Sequence, residues 1–222
     1  MILVTGATGN VGYAVVERLV AEGQAVRAYS RHPEKKAFPA GVELVAGDMA
    51  DTAAATRALR GVSSLFLVHT EGTATFWKQV LASEAQHVVF LSSGTVELPL
   101  ETHIGRIHTE TEAAISASPR TWSFLRPGAF MSNALRWAPG IRAEGIVRVP
   151  FPDAQSVPVD PRDLGDAAAT MLMDPVRYAG ARPFITGPEV LSTRQQVAIL
   201  GAALGRAVGC IPNLWRRMLR YC

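Results

Sequence analysis

Apolar positions in the first ninety residues follow two alternating patterns. Short, mostly apolar runs stand at 2–5 (ILVT), 25–30 (AVRAYS), 42–46 (VELVA), 64–68 (SLFLV) and 87–91 (HVVFL). Their length and branched side chains suit strands covered on both faces. Between them apolar residues recur at the helical period. Val11, Ala14, Val15 and Leu19 mark the first helix, and further helices are predicted over 51–59 and 74–85. Strands that alternate with helices predict an α/β domain on a doubly wound parallel sheet.

The second half is less regular. A helix is predicted over 107–117, a strand over 122–125, a short strand over 146–149 and a late strand over 182–186. Asp160 before Pro161, with Asp163 at the third helical position, is a start signal for a helix over 161–173. Ser192 with Gln195 three residues on is a capping box for a helix ending near Leu204. The expected organisation is one domain over 1–205, with 128–160 and 180–205 forming a small substrate-side lobe. Residues 206–222 are expected to be a tail, whose Trp215, Met218, Leu219 and Tyr221 form an apolar stripe.

Composition narrows the classes. At 222 residues and 48% apolar content, the chain can bury a sizeable core and is not a disordered segment. No apolar run approaches the length of a membrane span, and no leader pattern precedes the first strand, so a cytoplasmic protein is expected. A net charge of +3 is too small to call for a nucleic-acid or membrane partner. Arg216, Arg217 and Arg220 read as a solvated helix face. Cys210 and Cys222 lack metal-ligand spacing and read as free thiols.

The chemistry concentrates at Met1 to Gly12, MILVTGATGNVG. A strand, a glycine-rich turn and a helix start present backbone N–H groups to a phosphate. Gly6 suits the tight turn, Gly9 a close approach to a diphosphate, and Gly12 close helix–strand packing. Thr8, Asn10 and Val11 complete the candidate loop. The glycine spacing is three and three, unlike the two and three of the usual dinucleotide fingerprint.

The end of the second strand bears on which dinucleotide binds. An NAD site wants an acid there for the ribose hydroxyls. The chain has Ser30, Arg31 and His32, then Lys35 and Lys36. A guanidinium can pair with a 2′-phosphate, so NADP(H) is expected over NAD(H). Asp48, beside Met49, either accepts from adenine or caps the next helix. Val68, His69 and Thr70 end the fourth strand at the carboxyl edge of the sheet, where His69 is either a polar contact or an exposed loop residue. Ser92 and Ser93 end the fifth strand.

In chain order the motifs are GATGNVG at 6–12, SRHPEK at 30–35, GD at 47–48, VVFLSS at 88–93, His108-x-x-x-Glu112, LRPGAFMSN at 125–133 and VDPRD at 159–163. Taken together, the chain resembles the NmrA-like members of the atypical short-chain dehydrogenase/reductase superfamily. The resemblance implies a Rossmann-type main domain, a small carboxyl-terminal part over the substrate, and bound NADP(H). It implies that Pro127, Gly128, Ala129 and Phe130 run beside the nicotinamide, with Phe130, Met131 and Trp137 on the substrate side. Family members include quinone and azo-dye reductases and redox-sensing regulators.

The chain departs from the superfamily in its chemistry. No lysine follows Lys78 and no tyrosine stands between Tyr29 and Tyr178, so the usual Tyr-x-x-x-Lys pair is missing. His108 and Glu112 stand at that spacing and share a helix face. Glu112 would orient His108 and favour its imidazolium. His108 would then donate a proton or hydrogen-bond the nicotinamide ribose. The family's members also run longer, which leaves room for a partner subunit, as in a homodimer, to complete the cover.

Three functions follow from these residues. One is an NADPH-dependent reductase of a small apolar acceptor such as a quinone or enone. Another is a non-catalytic NADP(H)-sensing regulator. The third is a non-redox isomerase or cyclase with His108 or Asp153 as base.

Overall fold

The computed structural model describes residues 1–98 and 102–213. The apolar stripe expected at Trp215, Met218, Leu219 and Tyr221, the arginines from 216 on, and Cys222 lie outside the described residues. In chain order the strands are β1 (Ile2–Thr5), β2 (Val26–Ser30), β3 (Glu43–Ala46), β4 (Ser64–Val68), β5 (His87–Leu91), β6 (Thr121–Pro127), β7 (Ile146–Val149), β8 (Gln155–Ser156), β9 (Phe184–Ile185), β10 (Leu191–Ser192) and β11 (Gly209–Pro212). The α-helices are α1 (Asn10–Ala21), α2 (Thr52–Leu59), α3 (Thr73–Leu81), α4 (His103–Ser116), α5 (Ala138–Glu144), α6 (Pro161–Met173) and α7 (Thr193–Ala203). The chain divides into two compact units: Met1–Gly128 with Pro161–Ile185, and Ala129–Asp160 with the residues from Thr186 on.

The larger unit is the doubly wound parallel sheet that the alternation predicts. Its strand order is β3-β2-β1-β4-β5-β6-β9. Every neighbouring pair is parallel, with Ile2 opposite both Val26 and Ser64. The order reverses at β1, between β2 and β4, and such a switch point opens a crevice at the carboxyl ends of the strands. One face carries Leu3, Leu65, Leu67, Val88, Phe90 and Phe124 against Ala54, Ala55 and Ala58 of α2, Phe76 and Val80 of α3, and Ile115 of α4. Strand alternation turns Val4, Phe66 and Val89, all buried, to the other face.

Helices α1 and α6 pack tightly together. A Cβ on Gly165 would lie 2.5 Å from that of Ala14, so the two backbones meet at a position where only glycine fits. Helix α6 buries Leu164, Ala168, Ala169 and Leu172. No helix among the described residues is long and apolar enough to cross a membrane.

Helix α4 starts four residues before the predicted 107. Thr102 caps it by accepting from the Gly105 N–H, and the polar, glycine-containing first turn hides the start from apolar periodicity. The late strand shrinks to Phe184–Ile185.

The smaller unit departs most from the sequence pattern. Residues Met131–Trp137 form 3₁₀ turns that run into α5. Pro139 stands in the first turn of α5, where a missing N–H costs little. Strand β11 pairs in parallel with β7, so part of the stretch expected as a tail is sheet. Strands β8 and β10 pair antiparallel. The core of this unit is Ile141, Val147 and Val197. Ser192 and Gln195 form the predicted capping box at α7.

Candidate functional site

The glycine turn after β1 has the geometry its residues require. Gly6 sits at φ +60, and a Cβ there would lie 2.8 Å from a methyl of Val68. A Cβ on Gly12 would come within 2.3 Å of the Gly6 carbonyl oxygen. Both positions need glycine, one for its backbone angle and the other for space. The Tyr13 N–H reaches the Gly9 carbonyl at 2.9 Å. The N–H groups of Asn10, Val11 and Gly12 precede that bond and point out of the helix end. Gly9 supplies no side-chain cap, and the first turn holds no acid. By contrast Asp51 caps α2, Thr102 caps α4 and Ser192 caps α7. The amino end of α1 therefore keeps its donors and its positive dipole end available, a fit for a diphosphate.

At the end of β2 the hydroxyls of Thr8 and Ser30 are 2.9 Å apart. The His32 N–H donates to Ser30 Oγ at 3.3 Å, and the His32 ring pairs with Glu34 at 3.3 Å. The Lys36 ammonium lies 4.5 Å over the Tyr13 ring. Arg31 is exposed and makes no ion pair among the described residues, and Lys35 is exposed beside it. No carboxylate stands at Ser30 or Arg31.

The two readings of Asp48 separate. Asp51, not Asp48, caps α2, accepting from Ala53 and Ala54 at 2.9 and 3.1 Å. Asp48 is exposed, and its Oδ1 accepts from the Ala50 N–H at 2.8 Å. Met49 is buried, and the Thr70 hydroxyl points to its sulfur at 3.5 Å. A Cβ on Gly72 would lie 2.4 Å from the Ala50 nitrogen, so the loops after β3 and β4 touch through backbone.

Past β5 the residues pair differently from the expectation. Glu112 does not orient His108. Its carboxylate, 6% exposed, accepts from Ser92 Oγ at 2.5 Å and from Arg126 at 3.0 and 2.5 Å. Arg126 also donates to Glu97 at 2.8 Å. Ser93 caps the turn at 94–97 and shares its hydroxyl with Thr95 at 2.9 Å. The imidazole of His108 lies tilted against the rings of both Phe90 and His69, with centroids 5.5 Å apart in each case. Its Nδ1 is buried without a partner. Burial first, then the neighbouring His69, push its pKa down to about 4, against a weaker upward pull from Glu112. His108 is therefore neutral at physiological pH rather than the expected imidazolium.

Spacing along the chain does not single out Arg126. A lone arginine ending the apolar run TWSFL needs a buried carboxylate, and Glu112 was the carboxylate available.

Farther along, the Gly128 N–H donates to Ile185 O at 2.9 Å, and Pro127 is buried at the end of β6. In the smaller unit, Ala129 and Met131 pair through backbone with Val159, and Phe130 bridges to the same residue. Met131 is 43% exposed. Trp137, partly buried, packs against the Ile141, Val147 and Val197 core. Asp153 is held by Arg194 at 2.9 Å. That guanidinium lowers the carboxyl pKa and makes it a poor base. Among the described residues no group of three or more His, Cys, Asp or Glu is placed to hold a metal.

The model of the NmrA-like family matches residues 1–211. A Streptomyces griseus protein named (4-alkanoyl-5-oxo-2,5-dihydrofuran-3-yl)methyl phosphate reductase is 44% identical over 212 residues, covering 93% of this chain and 74% of that protein. The NAD(P)H azoreductase of Xenophilus azovorans is 32% identical over 217 residues, covering 94% and 75%. Among solved structures, the NADPH-dependent quinone oxidoreductase of Escherichia coli complexed with NADPH superposes with a TM-score of 0.81 at 25% identity, covering 96% of this chain and 78% of that one. With the matching fold and the motifs spread along both units, the chain belongs to the NmrA-like family.

Proposed function

We propose that this protein is an NADPH-dependent reductase of a small acceptor whose double bond is conjugated with a carbonyl. The observation that carries the reading is the uncapped, glycine-framed amino end of α1, with an exposed, unpaired Arg31 one crossover later. Asn10, Val11 and Gly12 would hold the diphosphate. Arg31, Ser30 and Lys35 would hold a 2′-phosphate, with Glu34 of the same loop turned to His32.

When bound, NADPH supplies the hydride from its nicotinamide ring. The larger unit contributes orientation, through the loop at Gly6–Gly12 and the carboxyl ends of β4 and β5. It offers no tyrosine–lysine acid, and His108 stays neutral. Conjugated acceptors suit such a site, because the charge arriving with a hydride spreads onto their own carbonyl oxygens. Two relatives' names support this chemistry, since a quinone is an enone and so is a dihydrofuranone bearing an alkanoyl group, while the azoreductase acts on a different conjugated acceptor. Phe130 and Met131 are the substrate-side candidates on the smaller unit. The non-redox reading loses Asp153 as its base to Arg194.

The test is loss of NADPH absorbance with a benzoquinone and with an acyl-dihydrofuranone. Oxidation with either is expected, faster with NADPH than with NADH. Tight NADPH binding with no oxidation by any conjugated acceptor would overturn the reductase reading in favour of a nucleotide sensor.

A further inference from the structure

His69 follows the last residue of β4, and its hydrogen bonds fix where its proton sits. Its Nδ1 lies 3.2 Å from Thr111 Oγ1. Thr111 has one hydroxyl proton, and it donates that proton to the Ile107 carbonyl one helical turn back, at 2.8 Å. Thr111 can therefore only accept from His69, so Nδ1 carries the N–H. Burial disfavours a second proton on His69, against an upward pull from Glu110 and with a smaller downward push from His103. The remaining nitrogen, Nε2, is then a bare lone pair. Nothing among the described residues donates to it.

The place of this acceptor in the sheet matters. A dinucleotide lies across the switch point, one half on each side of β1. The arginine and hydroxyls suited to a 2′-phosphate stand at the end of β2. His69 stands on the opposite side, past β4, with its ring held near His108 of α4, which in turn packs at a tilt against Phe90 of β5. The nicotinamide half of a dinucleotide offers two kinds of hydrogen-bond donor, ribose hydroxyls and the carboxamide N–H.

We propose that His69 accepts, through Nε2, a hydrogen bond from a donor on the nicotinamide half of the cofactor, with Thr111 as the positioning residue that sets its tautomer. The inference rests on the dinucleotide reading above and goes further by assigning polarity to a residue on the side away from the 2′-phosphate.

The experiment compares calorimetric affinities for NADPH and for 2′,5′-ADP, which carries the adenine half alone. His69→Phe keeps a ring in the stack but removes both nitrogens. It is expected to weaken NADPH about fivefold and to leave 2′,5′-ADP unchanged. His69→Gln, with an amide oxygen able to reach the Nε2 position, should restore part of the loss. Thr111→Val should give a smaller loss of the same selectivity, and Thr111→Ser should recover it. With the 3-acetylpyridine analogue of NADPH, which lacks the carboxamide N–H, a persisting His69→Phe loss identifies the ribose hydroxyl as donor and a vanished one the carboxamide. Unchanged NADPH affinity in His69→Phe, or an equal loss for 2′,5′-ADP, would overturn the proposal. Wild-type protein that binds neither ligand would instead overturn the dinucleotide reading beneath it.

Discussion

Two polar regions of the larger unit solve the same problem in opposite ways. At the amino end of α1, backbone donors are left without acceptors, and an arginine nearby is left without a carboxylate. Beyond β5, buried Ser92 and Glu112, Arg126 and the exposed Glu97 satisfy one another. The contrast separates donors left open at a helix end from polar groups spent on the fold. Polar groups whose partners lie within the chain hold elements together, and those without partners await something from outside. Glu112 stands where the sequence suggests catalysis, yet its neighbours make it a joint between α4, β5 and β6.

The largest effect should come from breaking that joint. Glu112→Ala leaves a guanidinium that is 12% exposed with Glu97 alone, and should cost about 3–5 kcal/mol in urea unfolding. Adding Arg126→Met removes the stranded charge and should recover much of that loss. No recovery would mean the network does more than neutralise its own charges.

The second effect is a pH dependence from His108. Its folded pKa lies at about 4, below the ordinary 6.5. The unfolded chain therefore binds more protons between those values. Stability is present in full above pH 6.5 and falls as pH drops toward 4, by at most about 3 kcal/mol. Burial shifts His69 and His87 in the same direction. Thermal midpoints measured from pH 8 to 5 should decline, and less steeply in His108→Phe. A flat profile in the wild type would contradict the buried neutral ring.

Next is the open side of the comparison. Arg31→Ala should weaken NADPH about tenfold, the scale of an exposed charge-assisted contact, and leave NADH unchanged. Equal losses would remove the 2′-phosphate assignment. The smallest effect should come from Thr102→Ala. It uncaps α4 at about 1 kcal/mol of stability, with NADPH affinity unmoved, because those helix donors face only their own chain.

The larger unit is readable because its central strands are apolar runs buried on both faces, although the edge strand β3 is largely exposed, and its turns carry local signals. Gly6 and Gly12 lie in one short loop whose geometry depends on near neighbours. The smaller unit hid because its pairs join distant segments: β7 with β11, and β8 with β10. No local period announces a two-residue strand. Arg126 and Glu112 were missed as a pair for a related reason. Helical spacing tells which residues share a face of α4, whereas packing on β5 and β6 decides what that face meets. The proton position on His69 depends on a Thr111 bond that sequence spacing does not reveal.

The packing of Gly165 on Ala14 has a consequence for how the protein is made. The first helix leaves the ribosome at the beginning of synthesis, while the helix that seals its outer side arrives some 150 residues later. Until then Ala14 lacks the α6 backbone it packs against, so the glycine turn is translated among the first segments while the helix that follows it is completed among the last. Nascent chains stalled before residue 161 should expose that surface to chaperones, and those stalled well past 173 should not.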